Sequence, residues 1–287
     1  MRWTPGGPSP DLEDQRGSSG GRGIGIGGVP IGIGGFVVLL LLSLVFHRNF
    51  FALLGGGGAP SGAPAGQTAP VNSTPEEDQE VKFVSFVLDD VQNTWAQIFA
   101  QDGQQYRHAK LVLFRDAVRS GCGVAETAMG PFYCPADEKV YIDLGFYKEL
   151  KDRFHASGDF AEAYVIAHEL GHHVQNLLGI SGKVERLQQR NPDEANAYSV
   201  RLELQADCLA GVWGHSTQQR DILQAGDVDE ALNAASAVGD DRIQKQASGR
   251  VNPETWTHGS AEQRSHWFKA GFDSGSIQSC DTFASGQ

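Results

Sequence analysis

The chain has 287 residues, of which 40% are hydrophobic, so it is long enough to bury a sizeable core. Its formal net charge is −12, from 23 Lys and Arg against 35 Asp and Glu. Proteins that bind nucleic acid need a basic surface to neutralise phosphates, so an acidic chain of this kind is not expected to have nucleic acid as its partner.

The N-terminal part is expected to contain a membrane anchor. Residues 1–22 are polar and rich in Gly, Pro and Ser, which predicts a disordered N-terminal arm. Residues 23–54 form the anchor region. No charged residue occurs from Gly23 to Phe46, and this stretch reaches the roughly 20 residues that a spanning helix needs. We therefore expect one N-terminal transmembrane helix.

A cleaved secretory signal is the alternative interpretation of the same stretch. The long, nearly neutral lead and the distance to the nearest small-x-small site, Ala63–Ala65, favour an uncleaved anchor. Either interpretation takes the acidic part out of the cytoplasm. The expected location is the cell membrane, with a single crossing and the C-terminal domain outside the cytoplasm; three Arg before the stretch and one after it agree with this orientation.

The Gly/Pro/Ala-rich residues 55–73 are expected to be a linker, and residues 74–287 the folded domain. Thr74 followed by Glu77 forms a capping box, and apolar residues then recur at helical spacing to about Ala100. Strands are predicted at 110–114 and 139–143, and further helices at about 159–178, 192–213, 227–246 and 260–272. The predicted fold class is therefore α+β, mainly helical, with a small sheet.

The most informative motif is His168-Glu-Leu-Gly-His172, an H-E-x-x-H zinc signature. Residues four apart lie on one face of a helix, so both imidazoles can bind one metal ion. Glu169 lies about 100° around the helix and is free to take a proton from a zinc-activated water as general base. The motif predicts one Zn²⁺ per chain.

A catalytic zinc usually has a third protein ligand, and the best candidate is Glu203. Glu203 and Asp207 share one face of an otherwise apolar predicted helix, where two carboxylates need a compensating partner. Glu203 is assigned as the third ligand, and Asp207 as an acceptor that orients a ligand imidazole through its other ring nitrogen. A local ion pair of Glu203 with Arg201 or another cation is the alternative.

H-E-L-G-H followed by E-x-x-x-D resembles the gluzincin type of zinc peptidase. Over residues 76–284 the sequence is similar to the bacterial neutral zinc metallopeptidase family, whose members join an N-terminal membrane segment to an extracytoplasmic zincin domain. The stretches that carry this resemblance are 129–135, 163–169, 200–208, 231–235 and 257–259. The resemblance implies a zincin-like fold and a peptide or protein substrate.

Two further roles are implied by the same resemblance. The segment from His258 to Arg264 is similar to the His…Arg segment that follows the third ligand in membrane-associated gluzincins, and this similarity suggests His258 as a catalytic donor to the oxyanion. A capping or core role for His258 is the alternative. In zincins a strand beside the active-site helix pairs with extended substrate, and Lys139–Asp143 is the candidate, with a plain structural strand as the alternative.

The four cysteines show no C-x-x-C spacing, so a thiolate zinc site is not expected. Their even number fits disulfides in an oxidising compartment, and three pairings are possible. We favour Cys122 with Cys134 and Cys208 with Cys280; free buried thiols are the alternative.

Together these features predict a membrane-anchored zinc metallopeptidase, an endopeptidase that uses His168, His172 and Glu203 as metal ligands and Glu169 as general base. Two alternatives belong to other functional classes. One is a non-peptidase zinc-binding envelope protein, which would be expected to complete a set of four protein ligands. The other is an inert interaction module in which the motif is accidental.

Overall fold

The computed structural model describes residues 1–17, 71 and 73–284. In this part of the chain, eight α-helices and six strands are present, which confirms a mainly helical α+β fold with a small sheet. The strands are β1 (Leu12–Asp14), β2 (Lys110–Phe114), β3 (Ala117–Ser120), β4 (Gly123–Glu126), β5 (Phe132–Cys134) and β6 (Lys139–Asp143). The helices are α1 (Pro75–Gln101), α2 (Gly145–Asp152), α3 (Asp159–Leu177), α4 (Ile180–Arg190), α5 (Ala195–Gln219), α6 (Asp227–Ala237), α7 (Asp240–Ser248) and α8 (Ala261–Ser274).

The main sheet has the strand order β1-β2-β6-β5. The first three strands are parallel, and β5 is antiparallel to β6. Because β6 is hydrogen-bonded to β2 on one side and to β5 on the other, Lys139–Asp143 is an interior strand. The expectation that this strand offers an open edge to a peptide is therefore wrong, and β5 occupies the outer position.

One face of the sheet packs against α1 and the helical layer that contains α3 and α5. The predicted capping box at the start of α1 is present, since Thr74 and Glu77 hydrogen-bond each other's backbone N–H groups. The apolar face of α1 is buried as its spacing predicts, and Val84, Leu88 and Trp95 are fully inaccessible. This burial fixes the helical layer against the sheet.

The other face of the sheet is covered by the β3–β4 hairpin around Val118 and Ala125. Cys122 at the tip of this hairpin is bonded to Cys134 at the end of β5. The second disulfide joins Cys208 of α5 to Cys280 near the C-terminal end. Both bonds are the pairings that we favour from the sequence.

The expected disordered arm over residues 1–22 is wrong for residues 1–17. The strand β1 pairs in parallel with β2, and Leu12 lies opposite Leu111. Trp3 packs on Phe83 of α1, with ring centroids 5.2 Å apart. The average composition of this segment hides a few residues that have specific partners in the domain. Residues 18–22 lie outside the described part of the chain.

The expected anchor over residues 23–54, and the linker over 55–73 apart from residues 71 and 73, also lie outside the described residues. Within the described ranges, no helix is long and apolar enough to cross a bilayer. The anchor therefore stays a prediction, and so does the zincin-like fold.

The predicted helix at 227–246 is two helices, α6 and α7, separated at Gly239. A Cβ atom at Gly239 would lie 2.4 Å from the backbone nitrogen of Ala261. The close approach of two backbone segments, which periodicity cannot reveal, interrupts the helix here. Asp240 then begins α7 and turns toward the loop that precedes α8.

Helices α5 and α8 cross at two glycines. An added Cβ at Gly211 would lie 2.0 Å from the carbonyl oxygen of Phe268, and one at Gly271 would lie 1.9 Å from that of Cys208. The two backbones are therefore in direct contact, and this contact fixes the position of α8 on the helix that carries Glu203.

Gly271→Ala is expected to destabilise the fold, because its methyl group can be accommodated only if the two helices separate; overpacking of this kind costs about 1–3 kcal/mol or more. Gly182→Ala in α4 is the matched control, since its nearest neighbour is the mobile end of Arg186 at 3.5 Å. That substitution should be neutral or stabilise by up to about 1 kcal/mol. Urea unfolding of both variants measures the difference, and equal stabilities would contradict the assigned crossing.

Candidate metal centre

The three sequence-predicted ligands come together between α3 and α5. His168 and His172 project from one face of α3, and Glu203 reaches them from α5; one ligand atom from each lies within 4.8 Å of the others. Gly171 makes this approach possible, because a Cβ there would lie 3.0 Å from the carbonyl oxygen of Ala206. The glycine inside the motif thus lets the two helices lie close enough for one ion to be shared.

Both imidazoles turn the same ring nitrogen toward Glu203. Nε2 of His168 is 3.2 Å from Oε2 of Glu203, and Nε2 of His172 is 3.4 Å from Oε1. Each Nδ1 has an acceptor outside the cluster: Asp207 Oδ1 at 2.9 Å for His168, and Gln175 Oε1 at 2.8 Å for His172. A neutral imidazole that donates through Nδ1 keeps the lone pair of Nε2 free, so both rings are oriented to bind a cation.

The orientation of Gln175 is fixed independently. Its Nε2 donates to the carbonyl oxygen of Leu202 at 2.7 Å and to Oε1 of Gln205 at 3.1 Å. The amide oxygen is therefore the atom left to accept from His172. This residue was not identified from the sequence, because a glutamine three positions after a histidine carries no distinctive signal.

Neighbouring charges shift the pKa values of the ligand side chains. Burial raises the pKa of Glu203, but the neighbouring charges of His172 and hydrogen bonds from His168 and His172 outweigh it and hold that pKa well below its usual range. Burial lowers the pKa of His168, yet Asp207 and Glu203 raise it to about 10. The carboxylates that favour a proton on His168 also favour a divalent cation, and Glu203 is ionised and able to bind one, so the donor set fits Zn²⁺ in both chemistry and charge.

Asp207 is fully buried and lies where the sequence predicts, beside His168. Its strongest partner is Arg264 of α8, whose Nε and Nη2 donate to the two carboxylate oxygens at 2.8 and 2.9 Å. The hydroxyl of Tyr164 donates to the same carboxylate at 2.5 Å. This network holds Asp207 ionised in the core and thereby fixes the ring of His168.

Glu169 is buried next to the ligands but does not belong to the cluster. Within the described residues its carboxylate makes no hydrogen bond or ion pair. Burial raises its pKa, against the opposing charges of His168 and His172. A carboxylate with a raised pKa and no fixed partner is suited to accept a proton.

His258 lies in the loop before α8, and the loop is held by Asp240. Oδ2 of Asp240 accepts the backbone N–H groups of Thr257, His258 and Gly259 at 2.8, 2.7 and 3.0 Å, and its Oδ1 lies 3.3 Å from Nδ1 of His258. The side chain of His258 is 51% exposed, and the charge of Glu203 acts on it. His258 is therefore half exposed, within range of the charge of Glu203, and its Nδ1 is directed to Asp240 and to the hydroxyl of Thr257.

Sequence reasoning gave no role to four residues that shape the centre, namely Tyr164, Gln175, Asp240 and Arg264. A buried carboxylate needs a compensating cation, so the sequence indicated a positive partner for Asp207. In the structure Asp207 is bound by Arg264 as well as by the imidazole of His168. Asp240 gave no signal, because its position at a helix start depends on the unpredicted break at Gly239. The alternative pairing of Glu203 with Arg201 is not formed, since no ion pair joins these two described residues.

Only one group of three His, Cys, Asp or Glu side chains in the described part of the chain has metal-binding geometry, and it is this one. All three side chains are mostly buried, with 8% of His168, 15% of His172 and 19% of Glu203 exposed. Two histidines and one glutamate are a three-ligand set of the kind found at catalytic zinc, whereas a structural zinc site normally has four protein ligands.

The comparison with known families agrees with this class. A family described as "Putative neutral zinc metallopeptidase" matches residues 1–283, and the chain belongs to it. The match starts at residue 1, so it includes β1 as well as the domain.

Relatives of the chain are found in bacteria. An uncharacterised protein of Escherichia coli K12, YpfJ, is 50% identical over 287 residues, which is 99% of both chains. An uncharacterised protein of Mycobacterium tuberculosis H37Rv, Rv2575, is 49% identical over 190 residues, or 62% of this chain and 64% of the relative. No solved structure matches the chain significantly.

Arg264→Met is expected to destabilise the protein strongly, because it leaves the carboxylate of Asp207 buried without its guanidinium; breaking a buried pair costs about 3–5 kcal/mol. Lys269→Met is the control in the same helix. Its pair with Asp273 is about 60% exposed on both sides and should change stability by less than about 1 kcal/mol. Denaturant unfolding of both variants tests this, and a shift for Arg264→Met as small as the control would show that Asp207 does not depend on Arg264.

Proposed function

We propose that this protein is a zinc-dependent peptidase that hydrolyses peptide bonds in peptide or protein substrates, with one Zn²⁺ per chain. The observation that carries the proposal is the convergence of two Nε2 atoms on the carboxylate of Glu203. Glu169 is buried beside them, and among the described residues it has no hydrogen bond or ion pair. Three ligands and one free carboxylate are what hydrolysis requires, whereas a structural zinc site normally has four protein ligands.

His168, His172 and Glu203 would hold the metal. Zinc in such a site supplies Lewis-acid chemistry, polarising the scissile carbonyl and lowering the pKa of water. Glu169 accepts the proton of the attacking water and passes it to the leaving amine. Its burial and raised pKa suit both steps, since the same group must take up and release a proton near neutral pH.

His258 donates to the oxyanion that develops on the substrate. Its Nδ1 is directed to Asp240, which leaves the Nε2 side of the ring for the substrate. Asp240 touches no substrate in this proposal; it is a positioning residue that fixes both the loop backbone and the ring.

The substrate is proposed to lie extended beside α3 and to pair with β5. This strand is the outer member of the sheet, and its Tyr133 hydroxyl lies 3.0 Å from Nδ1 of His173 on α3. An outer strand can capture a peptide through main-chain hydrogen bonds. In this proposal β5, and not Lys139–Asp143, is the strand that pairs with the substrate.

The domain is proposed to work outside the cytoplasm. Two disulfides, one of them on the ligand-bearing helix α5, support an oxidising compartment.

Two variants should distinguish zinc binding from hydrolysis. Glu169→Gln keeps all three ligands, so its zinc content should equal that of the wild type while hydrolysis falls by about 10²–10⁴-fold. Glu203→Ala removes a ligand and should lose zinc and activity together, with a weaker fold because metal binding is coupled to folding. Metal analysis and a peptide-library cleavage assay measure both.

Glu149→Gln, at an exposed position of α2, is the control for these variants and should retain both properties. Full zinc occupancy in Glu203→Ala would remove that residue from the ligand set. Normal cleavage by Glu169→Gln would contradict the proposed peptidase mechanism. Bound zinc without any cleavage by the wild type would favour a zinc-binding protein that is not a peptidase.

His258→Ala should lower kcat by about 10²–10³-fold with zinc content and KM nearly unchanged, since an oxyanion donor acts in the transition state. Asp240→Asn should give a smaller fall, and the double variant should be no worse than His258→Ala alone, because Asp240 acts through His258. Asp241→Asn is the control, because Asp241 contacts Ala261 instead of the 257–259 loop. Additive losses in the double variant would mean that Asp240 has a separate role.

A further inference from the structure

Residues 1–3 and 9–16 are bound to the domain by specific contacts. Besides the β1–β2 ladder, the backbone N–H of Leu111 donates to Asp11 and that of Gln15 donates to Leu113, both at 2.8 Å. These bonds extend the parallel pairing beyond the three residues of β1. A strand paired in this way needs its partner within about 5 Å.

The side chain of Asp11 shows how specific the docking is. It is only 8% exposed and accepts from His108 at 2.7 Å, Lys110 at 2.8 Å and Gln92 at 3.1 Å. Gln92 is fully buried and also binds the backbone N–H of Ala109 through its own oxygen. Removal of this segment would leave Gln92 with an unsatisfied amide donor in the core, which is costly.

Further contacts lie at each end of the segment. The indole nitrogen of Trp3 donates to Asp159 of α3 at 3.2 Å. Glu13 forms an ion pair with Lys139 of β6 at 2.7 Å. Arg16 is 7% exposed and binds Asp14 through two hydrogen bonds, and its charge also acts on Glu77 in the first turn of α1. Arg16, at the end of the N-terminal segment, therefore lies close to the start of α1.

A single membrane crossing places the segments before and after it on opposite sides of the bilayer. The hydrocarbon core is about 30 Å thick, so main-chain hydrogen bonds cannot form between segments on opposite sides. We infer that residues 1–17 and residues 73–284 lie on the same side of the membrane in the folded chain.

This inference replaces two expectations drawn from the apolar stretch Gly23–Phe46. A single crossing would put β1 and β2 in different compartments, and cleavage behind the stretch would remove β1 from the protein. Neither is compatible with the β1–β2 ladder and the three side-chain donors that bind the buried Asp11. The peptidase proposal does not depend on this inference, since the metal ligands all lie after residue 73.

Zero-length cross-linking of the ion pairs tests whether residues 1–17 are docked on the domain. The experiment uses the full-length wild-type chain in its native membrane. A carbodiimide forms an amide between a carboxylate and an amine that are already in contact, so Glu13 should be linked to Lys139, and Asp11 to Lys110. Mass spectrometry of the monomer band should recover both linked peptides. Glu13→Gln is the matched control, which should lose the first link and keep the second.

Cysteine labelling tests on which side of the membrane each segment lies. All four native cysteines are in disulfides, so an introduced thiol is the reactive one. Gly7→Cys has open space around the new side chain, and Ala100→Cys is at the exposed end of α1. With a membrane-impermeant maleimide, both should be labelled in intact cells, or both only after permeabilisation.

Labelling of the two positions from opposite sides would overturn the inference. So would the absence of both cross-links from the monomer, or their appearance only in a dimer band, because the strand would then not be docked on its own chain. An intact mass that lacks residues 1–17 would overturn it as well.

Discussion

The carboxylate of Asp207 is the group on which the arrangement of the helices depends. It has no access to solvent, and an isolated charge in that position is not sustainable in a medium of low dielectric. Its partners come from two other helices, Arg264 from α8 and both Tyr164 and His168 from α3. Three helices must therefore dock in one register before the charge is compensated, and that same register brings Glu203 to the histidines.

Close backbone contacts make this register possible. Gly171 lets α3 approach α5, and Gly211 and Gly271 let α5 and α8 touch. With larger residues at these positions the helices would stand further apart, and the hydrogen bonds of Arg264 and His168 to Asp207 would be stretched. Packing and electrostatics thus impose the same geometry, which is a sign of consistency between local and global structure. The Cys208–Cys280 bond lies next to Asp207 and ties the C-terminal segment to the same helix.

The sequence was sufficient where the signal is local. The spacing of His168 and His172 follows from helix geometry alone, and the cap at Thr74 and the strand at 110–114 come from short-range patterns. It was insufficient where a residue acquires its meaning from a distant partner. Arg264 is 57 residues from Asp207, and the break at Gly239 depends on the backbone of Ala261. The same limit explains residues 1–17, whose polar composition resembles that of disordered segments although Asp11 and Trp3 have partners far along the chain.

The two imidazoles of the centre are not equivalent, and the difference follows from what lies behind them. His168 donates to a carboxylate, which makes its Nε2 more basic, whereas His172 donates to the neutral amide of Gln175. Arg264 moderates the first effect, because it shares the charge of Asp207. Glu203 is held ionised by the two imidazoles, whereas burial raises the pKa of Glu169, so the two carboxylates of the centre are in different environments. In the proposed mechanism, a cation held by Glu203 would also be close to Glu169, and its positive charge would favour the ionised form of that buried carboxylate.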